Sequence, residues 1–267
     1  MKTLPGLCQL LKRVKICWKR ARQHVHSPDV YYVEKLCSIR INLLALGYGM
    51  EFVFQDEFTF YRQPSLANAY AVAGKTQPLA ELGWKGNYFW RIAATLSVFT
   101  GSVVFDMARQ FDLARLTKFY QKVVRTFPNA SVICMAQDNW PVHFHPNIMA
   151  ALMPQKPKWP LHVPGNWPTT PDSKVKHLEL PIQLFPLPTY ASWCNPIEKL
   201  WKLLRQEVLH LHSYADDWDA LKLAVENFLT EFSTGSKELL KYVGLADPTR
   251  IYHSIFDAPA GSSMLWY

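Results

Sequence analysis

Hydrophobic side chains recur at two different intervals along the chain, and these intervals predict alternating helices and strands. From Asn195 to Val208 the apolar positions follow at helical spacing, and Pro196 stands where a helix tolerates a missing N–H group. Helices are predicted over 7–22, 29–46, 112–127, 143–153, 195–208, 217–232 and 236–243. Strands are predicted over 50–55, 88–99, 102–107, 131–137 and 178–185. This alternation predicts an α/β fold.

Three stretches follow neither interval. Residues 65–86 are predicted to loop over one face of the fold, and residues 251–267 to form a loose tail. Residues 154–171 contain six prolines, which exclude regular structure. Because Trp159 and Trp167 lie within this stretch, we expect an ordered insertion that packs against the fold.

Length and composition narrow the class of protein. The chain of 267 residues is 49% hydrophobic, which suffices for one substantial core and an appendage. It has no apolar run long enough to span a bilayer, and basic residues interrupt its first apolar stretch too early for a secretion signal. Five cysteines without a C-x-x-C motif favour reduced thiols over disulfides or structural zinc. A cytosolic protein is therefore expected, without a membrane partner.

Positive charge is concentrated near the N-terminus, where residues 1–40 contribute +7 of the net +8. The helix predicted over 7–22 combines an apolar stripe with a basic face, and it contains no acid. Its cations on this face are Lys12, Arg13, Lys15, Lys19, Arg20 and Arg22. Such a helix suits the phosphate backbone of a nucleic acid. A solvated basic helix and a membrane-surface or calmodulin-type target are the alternatives.

Three carboxylates occupy comparable places in the predicted elements. Asp56 lies in the first strand, Asp138 ends the strand over 131–137, and Glu198 lies in the first turn of the helix after the last strand. Strand ends and helix starts of an open α/β sheet converge on one edge, so these acids are expected to meet there.

Each of these acids also has a simpler explanation. Asp56 and its neighbour Glu57 are consistent with a strand end that turns to solvent. Asn195 and Glu198 match a capping box, and Glu198 with Lys202 matches an ordinary i,i+4 ion pair.

Carboxylates gathered at one edge would repel one another. A like-charged pair at 4 Å costs roughly 4 kcal/mol at an effective dielectric constant near 20. Bound cations would offset this cost, and all-oxygen ligands select Mg²⁺ or Mn²⁺ rather than zinc. Two such ions about 4 Å apart serve in-line displacement at a phosphodiester, one at the nucleophile and one at the leaving oxygen.

Histidines close to the acids are weaker candidates. His143 and His145 form one H-x-H pair and His210 and His212 another, so a zinc site is an alternative. His143, which follows Asp138 closely, is expected instead to lie near the scissile phosphate.

Other polar side chains leave their roles open. Glu57 is a less favoured ligand than Asp56, because neighbouring residues of a strand face opposite ways. Asn139 is expected to orient a ligand or to close a turn. Arg205 is a candidate phosphate contact or a surface residue, and Trp201 is expected in the core.

Three segments carry a resemblance to a known family. They are FVFQDE at 52–57, AQDNWPVHFHP at 136–146 and PLPTYASWCNPIEKLW at 186–201. They closely resemble the three acidic motifs of DDE transposases of the mariner superfamily, in its bacterial insertion-sequence branch. The resemblance covers about residues 28–245. It implies a ribonuclease H-like mixed sheet flanked by helices, with Asp56, Asp138 and Glu198 as the metal-binding triad.

The resemblance also implies an activity. Members cleave transposon ends with Mg²⁺ and then use a 3′-hydroxyl to attack target DNA, so DNA and a second copy of the chain are the expected partners, in a bacterial cytoplasm at the nucleoid. Residues 1–24 resemble the end of a helix-turn-helix region, so an N-terminally truncated member is expected. The alternative is a non-transposing chain that binds DNA or regulates a full-length transposase.

The resemblance and the composition divide the chain into three parts. Residues 1–46 are predicted as a basic helical segment, 47–245 as the catalytic domain and 246–267 as a tail. Sixty positions separate Asp138 from Glu198, more than in many members. The insertion over 154–177 accounts for the surplus, and we expect it beside the active site as a clamp for DNA or a partner.

Overall fold

A mixed five-stranded sheet forms the centre of the fold. The computed structural model describes residues 4–16, 27–74, 77–173, 175 and 177–253. The strands are β1 Met50–Tyr61, β2 Phe89–Ser97, β3 Val103–Ala108, β4 Val132–Gln137 and β5 Ile182–Pro186. Their order in the sheet is β3-β2-β1-β4-β5. β1 is antiparallel to β2 and parallel to β4, and β4 is parallel to β5.

Helices α2 Tyr32–Leu44, α3 Leu113–Thr126, α4 Pro146–Ala151, α5 Glu198–Leu204, α6 Trp218–Thr230 and α7 Lys237–Val243 pack on the two faces of this sheet. A further helix, α1 Leu4–Arg13, contributes no residue to either core cluster of the described chain. One π-helical turn, Arg205–Leu209, continues α5. This arrangement of a mixed sheet between helices is the predicted ribonuclease H-like fold.

Alternation along β1 produces two separate cores. Phe52, Phe54 and Phe58 pack with the helices α2, α5, α6 and α7 on one face of the sheet. Val53 points the other way and packs with α3 and α4. Since successive side chains of a strand face opposite ways, Asp56 lies on the α5 face and Glu57 on the α3 face.

The β1–β4 register brings two of the acids level. Phe54 pairs with Ala136 in parallel orientation, so Asp56 and Asp138 each lie two residues further along adjacent strands. β1 continues beyond this point to Tyr61, paired with β2 alone. The expectation that the strand turns to solvent at Asp56 is therefore wrong.

Several predicted elements are shorter or interrupted. The helix predicted over 7–22 ends at Arg13, where Lys15 adopts φ 58° and its N–H, with that of Ile16, closes the last turn. Residues 17–26 lie outside the described residues. The helix predicted over 143–153 is split into a 3₁₀ turn and α4, because Pro146 has no N–H to continue the first segment. The last strand begins only at Ile182.

The proline-rich segment is an ordered cover on the sheet, as predicted. Trp159 is buried. The side chain of Gln155 donates to the carbonyl of Ile182 and accepts from the N–H of Leu184, so it binds β5 as a neighbouring strand would. The Trp167 ring meets the ring of His145 edge-on at 4.9 Å. The segment therefore packs on both β5 and the turn that precedes α4.

The beginning of the predicted loose tail belongs to the core. Ile251 is buried in the cluster around α5, and the hydroxyl of Tyr252 donates to the carbonyl of Cys194. Residues 254–267 lie outside the described residues. Within the described part of the chain, no helix is long and apolar enough to cross a membrane.

Candidate active site

Asp56 is held in place by a tryptophan from α5. The Nε1 atom of Trp201 donates to Oδ2 of Asp56 at 2.9 Å, and the indole stacks on Phe58, with ring centroids 5.2 Å apart. Both side chains are buried. Trp201 is therefore a core residue, as expected, and it also orients a carboxylate. Among the described residues, Oδ1 of Asp56 has no hydrogen-bond donor.

The start of α5 is tied to the same point of β1. The Nδ2 atom of Asn195 donates to the carbonyl of Gln55 at 3.0 Å, one residue before Asp56. The side chain of Asn195 does not cap the helix, since the N–H of Glu198 is bound by the backbone carbonyl of Asn195 instead. The capping-box alternative is therefore wrong. Asn195 and Trp201 together fix the distance between Asp56 and the first turn of α5.

Asp138 follows β4 directly and has one oxygen engaged by the protein. Its Oδ1 accepts from the N–H of Trp140 at 2.9 Å and lies 3.4 Å from Nε2 of His143. Asn139 donates to the carbonyl of Leu187, which closes the turn between β4 and the segment after β5. Oδ2 of Asp138 has no hydrogen-bond donor among the described residues, and the side chain is half exposed.

The electrostatics show that the acids act on one another. Burial, followed by the charges of Glu198 and Glu57, raises the pKa of Asp56 to about 8, and the charge of Asp138 acts in the same direction. Burial raises the pKa of Glu198 as well; Arg205 opposes this shift, while Asp138 adds to it. The charges of Glu198 and Asp138 therefore both act on Asp56, and that of Asp138 also acts on Glu198.

This donor set fits hard divalent cations. Its atoms are carboxylate oxygens, and at least one oxygen of Asp56 and one of Asp138 is left unbound by the described protein. Burial first, and then the uncompensated negative charge of its neighbours, lead Asp56 to retain a proton near neutral pH. Cations at this site would relieve that repulsion.

A second cluster lies on the opposite face of β1. Glu57, Asp138 and His143 place one ligand atom each within 4.8 Å of one another. His143 has no exposed surface, which corrects the expectation that it contacts DNA. Burial opposes its charge, but Glu57 and Asp138 outweigh burial and raise the pKa of His143 to about 10. Among the described residues, neither H-x-H pair forms a zinc site.

The candidate DNA contacts have different surroundings. The guanidinium of Arg205 lies 4.8 Å from the centre of the Phe58 ring, and its charge reaches Glu198. Lys12, Arg13 and Lys15 are exposed at the end of α1. Lys19, Arg20 and Arg22 lie outside the described residues.

Some residues of the site could not be singled out from spacing alone. Asn195 and Trp201 looked like a cap and a core position, and only the packing of α5 on β1 shows their bonds to the Asp56 region. Tyr120 occupies an inward position of α3 and donates to the side chain of Gln137. One signal in the sequence could have indicated these residues. They are polar groups inside otherwise apolar segments, and burying a polar group is costly unless it is paired.

Known proteins resemble this chain in sequence and in fold. The IS630 insertion element uncharacterized 39 kDa protein of Shigella sonnei is 21% identical over 218 residues, which cover 82% of this chain and 56% of that protein. The chain thus spans little more than half the length of this relative.

Two solved structures of Mos1 share the fold. The Mos1 mariner paired-end complex with Mg has a TM-score of 0.61 and 14% identity, covering 94% of this chain and 68% of that chain. The Mos1 strand transfer complex has a TM-score of 0.60 and 12% identity, with the same coverage. Residues 51–222 match the family described as DDE superfamily endonuclease. Because this match extends over more than half of the sequence, the chain belongs to the DDE superfamily endonuclease family.

Proposed function

We propose that Asp56, Asp138 and Glu198 are the catalytic triad of a transposase that cleaves DNA strands and joins them to a target. The observation that supports this most directly is the β1–β4 register, which sets Asp56 and Asp138 level on adjacent strands. The charges of Glu198 and Asp138 both act on the buried carboxyl group of Asp56. Asp56 and Asp138 lie just beyond the point where the parallel pairing of β1 and β4 ends, which is where α/β sheets commonly bind ligands, and this supports a cation site there.

The residues themselves would bind and orient the reactants. The triad would hold two divalent cations, Mg²⁺ or Mn²⁺, which activate the attacking oxygen and stabilise the leaving oxygen. Trp201 fixes Oδ2 of Asp56, and Trp140 fixes Oδ1 of Asp138, so each carboxylate keeps its second oxygen for a ligand. Arg205, exposed beside Glu198, is placed to contact a phosphate of the bound strand.

DNA is the proposed substrate, in keeping with the transposon end named in the structures of Mos1. The exposed cations Lys12, Arg13 and Lys15 would add contacts to the phosphate backbone, whose binding depends on released counterions. We retain the division into a basic segment 1–46, a catalytic domain 47–245 and a tail 246–267 as a proposal. A bacterial cytoplasmic location at the nucleoid is likewise proposed.

A homodimer is proposed because two transposon ends must be joined in one event. The segment between β1 and β2 supports this, since it exposes large apolar side chains. These are Leu66, Tyr70, Val72, Leu79, Leu82 and Trp84. Isolated proteins rarely expose so many neighbouring apolar groups without a partner. A second copy of the chain is the partner that two-ended chemistry requires.

A cleavage assay tests the proposed function. Wild-type protein should nick supercoiled plasmid in the presence of Mn²⁺, and Asp138→Ala should not. Equal nicking by both proteins would rule out the proposed triad. An added substrate with a 3′-hydroxyl distinguishes transposase chemistry from a general nuclease, because only a transposase joins that end to the plasmid. A non-transposing regulator would bind DNA without either product.

A further inference from the structure

A chain of buried polar side chains lies beneath Asp138, on the α3 face of the sheet. Its members from the strands are Gln55, Glu57 and Gln137, and Tyr120 and His143 complete it from α3 and the turn after β4. Four of these five have no more than 1% of their surface exposed; Glu57 is less deeply buried. Buried polar groups carry a large desolvation cost, so this set requires internal partners.

The contacts run in one line from the helix to the acid. The hydroxyl of Tyr120 donates to Oε1 of Gln137 at 3.2 Å and lies 3.0 Å from Nδ1 of His143. On the other side of the ring, Nε2 of His143 lies 3.4 Å from Oε2 of Glu57 and 3.4 Å from Oδ1 of Asp138. Because Tyr120 gives its proton to Gln137, its oxygen is free to accept from Nδ1.

The second oxygen of Glu57 is also engaged. Its Oε1 accepts from Nε2 of Gln55 at 2.8 Å. Glu57 thus has one oxygen facing an amide donor and the other facing His143. A carboxylate bound in this way is a partner for the imidazole ring, whereas Asp138 still has Oδ2 without a donor among the described residues.

We propose that His143 is a positioning residue for Asp138, and that Glu57 and Tyr120 orient its ring. The inference rests on the proposed function, in which Asp138 is a metal ligand. The ring lies between two carboxylates that would otherwise repel, with Nε2 within ion-pair distance of both and hydrogen-bonded to neither. Glu57 therefore serves this ring and is not a fourth metal ligand. Partners that orient metal ligands typically change metal affinity when they are replaced.

The test measures Mn²⁺ binding directly, without any cleavage reaction. Free Mn²⁺ is followed by electron paramagnetic resonance during titration of the full chain. His143→Gln is expected to weaken binding about 10-fold to 100-fold relative to wild type. Glu57→Gln, which keeps the side-chain volume, is expected to weaken it in the same direction. The double variant should bind Mn²⁺ as weakly as the weaker-binding single variant and no more weakly. The reason is that Glu57 acts on Asp138 only through His143.

His145→Gln is the matched control. His145 is also buried, lies two residues away and accepts the N–H of Asn147, a bond that glutamine can retain, but no contact to an acid is among those described for it. His145→Gln should keep wild-type Mn²⁺ affinity, although it loses about as much thermal stability as His143→Gln. Wild-type affinity in both His143→Gln and Glu57→Gln would overturn the positioning role. Absence of Mn²⁺ binding by the wild type would instead refute the proposed function on which it rests.

Discussion

Asp56 is a residue whose proposed role in metal binding lowers the stability of the metal-free fold. Its carboxyl group is buried among other acids, so the folded protein without cations favours its protonated form. A substitution that abolishes ligation should therefore stabilise the metal-free fold. Residues at functional sites commonly carry such a cost.

Because the pKa of Asp56 is raised in the folded chain, the stability of the metal-free fold depends on pH. The pKa of Asp56 is about 8 in the folded chain, above the ordinary value of 3.8. Below pH 3.8 both states hold the proton, and the stability of the fold is unaffected. As the pH rises towards 8 the unfolded chain releases a proton that the folded chain keeps, so stability is progressively lost.

We therefore expect Asp56→Asn to raise the melting temperature of the metal-free protein at pH 8 by at least about 5 °C. The amide oxygen can still accept from Trp201, so packing should be kept. At pH 4 the two proteins should melt together. Thermal unfolding in a chelator at both pH values checks this, and an equal difference at the two pH values would contradict it. Mn²⁺ should stabilise the wild type and have a weaker effect on the variant.

Trp201 provides a second prediction at this scale. Trp201→Phe removes the donor to Asp56 and keeps an aromatic ring on Phe58. Hydrogen bonds to charged groups contribute about 1.5–3 kcal/mol, so Mn²⁺-dependent nicking should fall about 10-fold or more. Trp193→Phe is the control, because Trp193 donates to Tyr32 away from the acids. Single-turnover rates measure the effect, and equal rates for the two variants would show that the bond to Asp56 is unimportant.

At the scale of elements, the sequence predicts the type of each helix and strand better than its end. The hairpin of β2 and β3 and the start of α3 were predicted, because a turn glycine and a capping aspartate are local signals; Asp112 does accept from the N–H of Arg115. β1 was predicted too short, because two acids in a strand indicate a strand end unless their partners are known. Those partners, Trp201 and His143, come from segments more than 80 residues away in the chain.

The proline-rich segment over 154–171 covers the edge strand β5, a role that its composition does not indicate. Proline content excluded helices and strands over 154–171, but no local pattern indicated that Gln155 would bind the open edge of β5. An uncovered edge strand exposes backbone groups that can pair with another chain. The cover therefore protects the sheet, whatever else it contacts.

Gln155→Ala tests this protective role. It removes two hydrogen bonds to β5, so the free energy of unfolding should fall by about 1–3 kcal/mol. Aggregation on mild heating should rise as well, because Ile182 and Leu184 lose their partner at the edge. Urea unfolding followed by circular dichroism gives the free energy, and light scattering during a temperature ramp gives the aggregation. The exposed Gln206 serves as the control, and Gln206→Ala should behave as the wild type.

At the scale of the whole molecule, the exposed apolar surface tells more about partners than the net charge does. The two cores bury the apolar faces of β1, yet the segment that leaves β1 at Tyr61 exposes a group of large apolar side chains. The sequence showed this segment to be irregular, but it could not show which of its residues would be covered by the fold. Exposure is a property of the assembled chain, and it points to a contact that the single copy does not make.

The proposed homodimer makes the last prediction. Replacing the exposed residues Tyr70 and Val72 with serine should convert dimers to monomers without loss of folding. The acids are untouched, so Mn²⁺-dependent nicking by the monomer should continue, whereas joint cleavage of two DNA ends on one molecule should fall sharply. Size-exclusion chromatography with light scattering measures the mass. Leu223→Ser, an exposed apolar position on α6, is the control and should leave the mass unchanged. A dimer that persists in the double variant would place the interface on another surface.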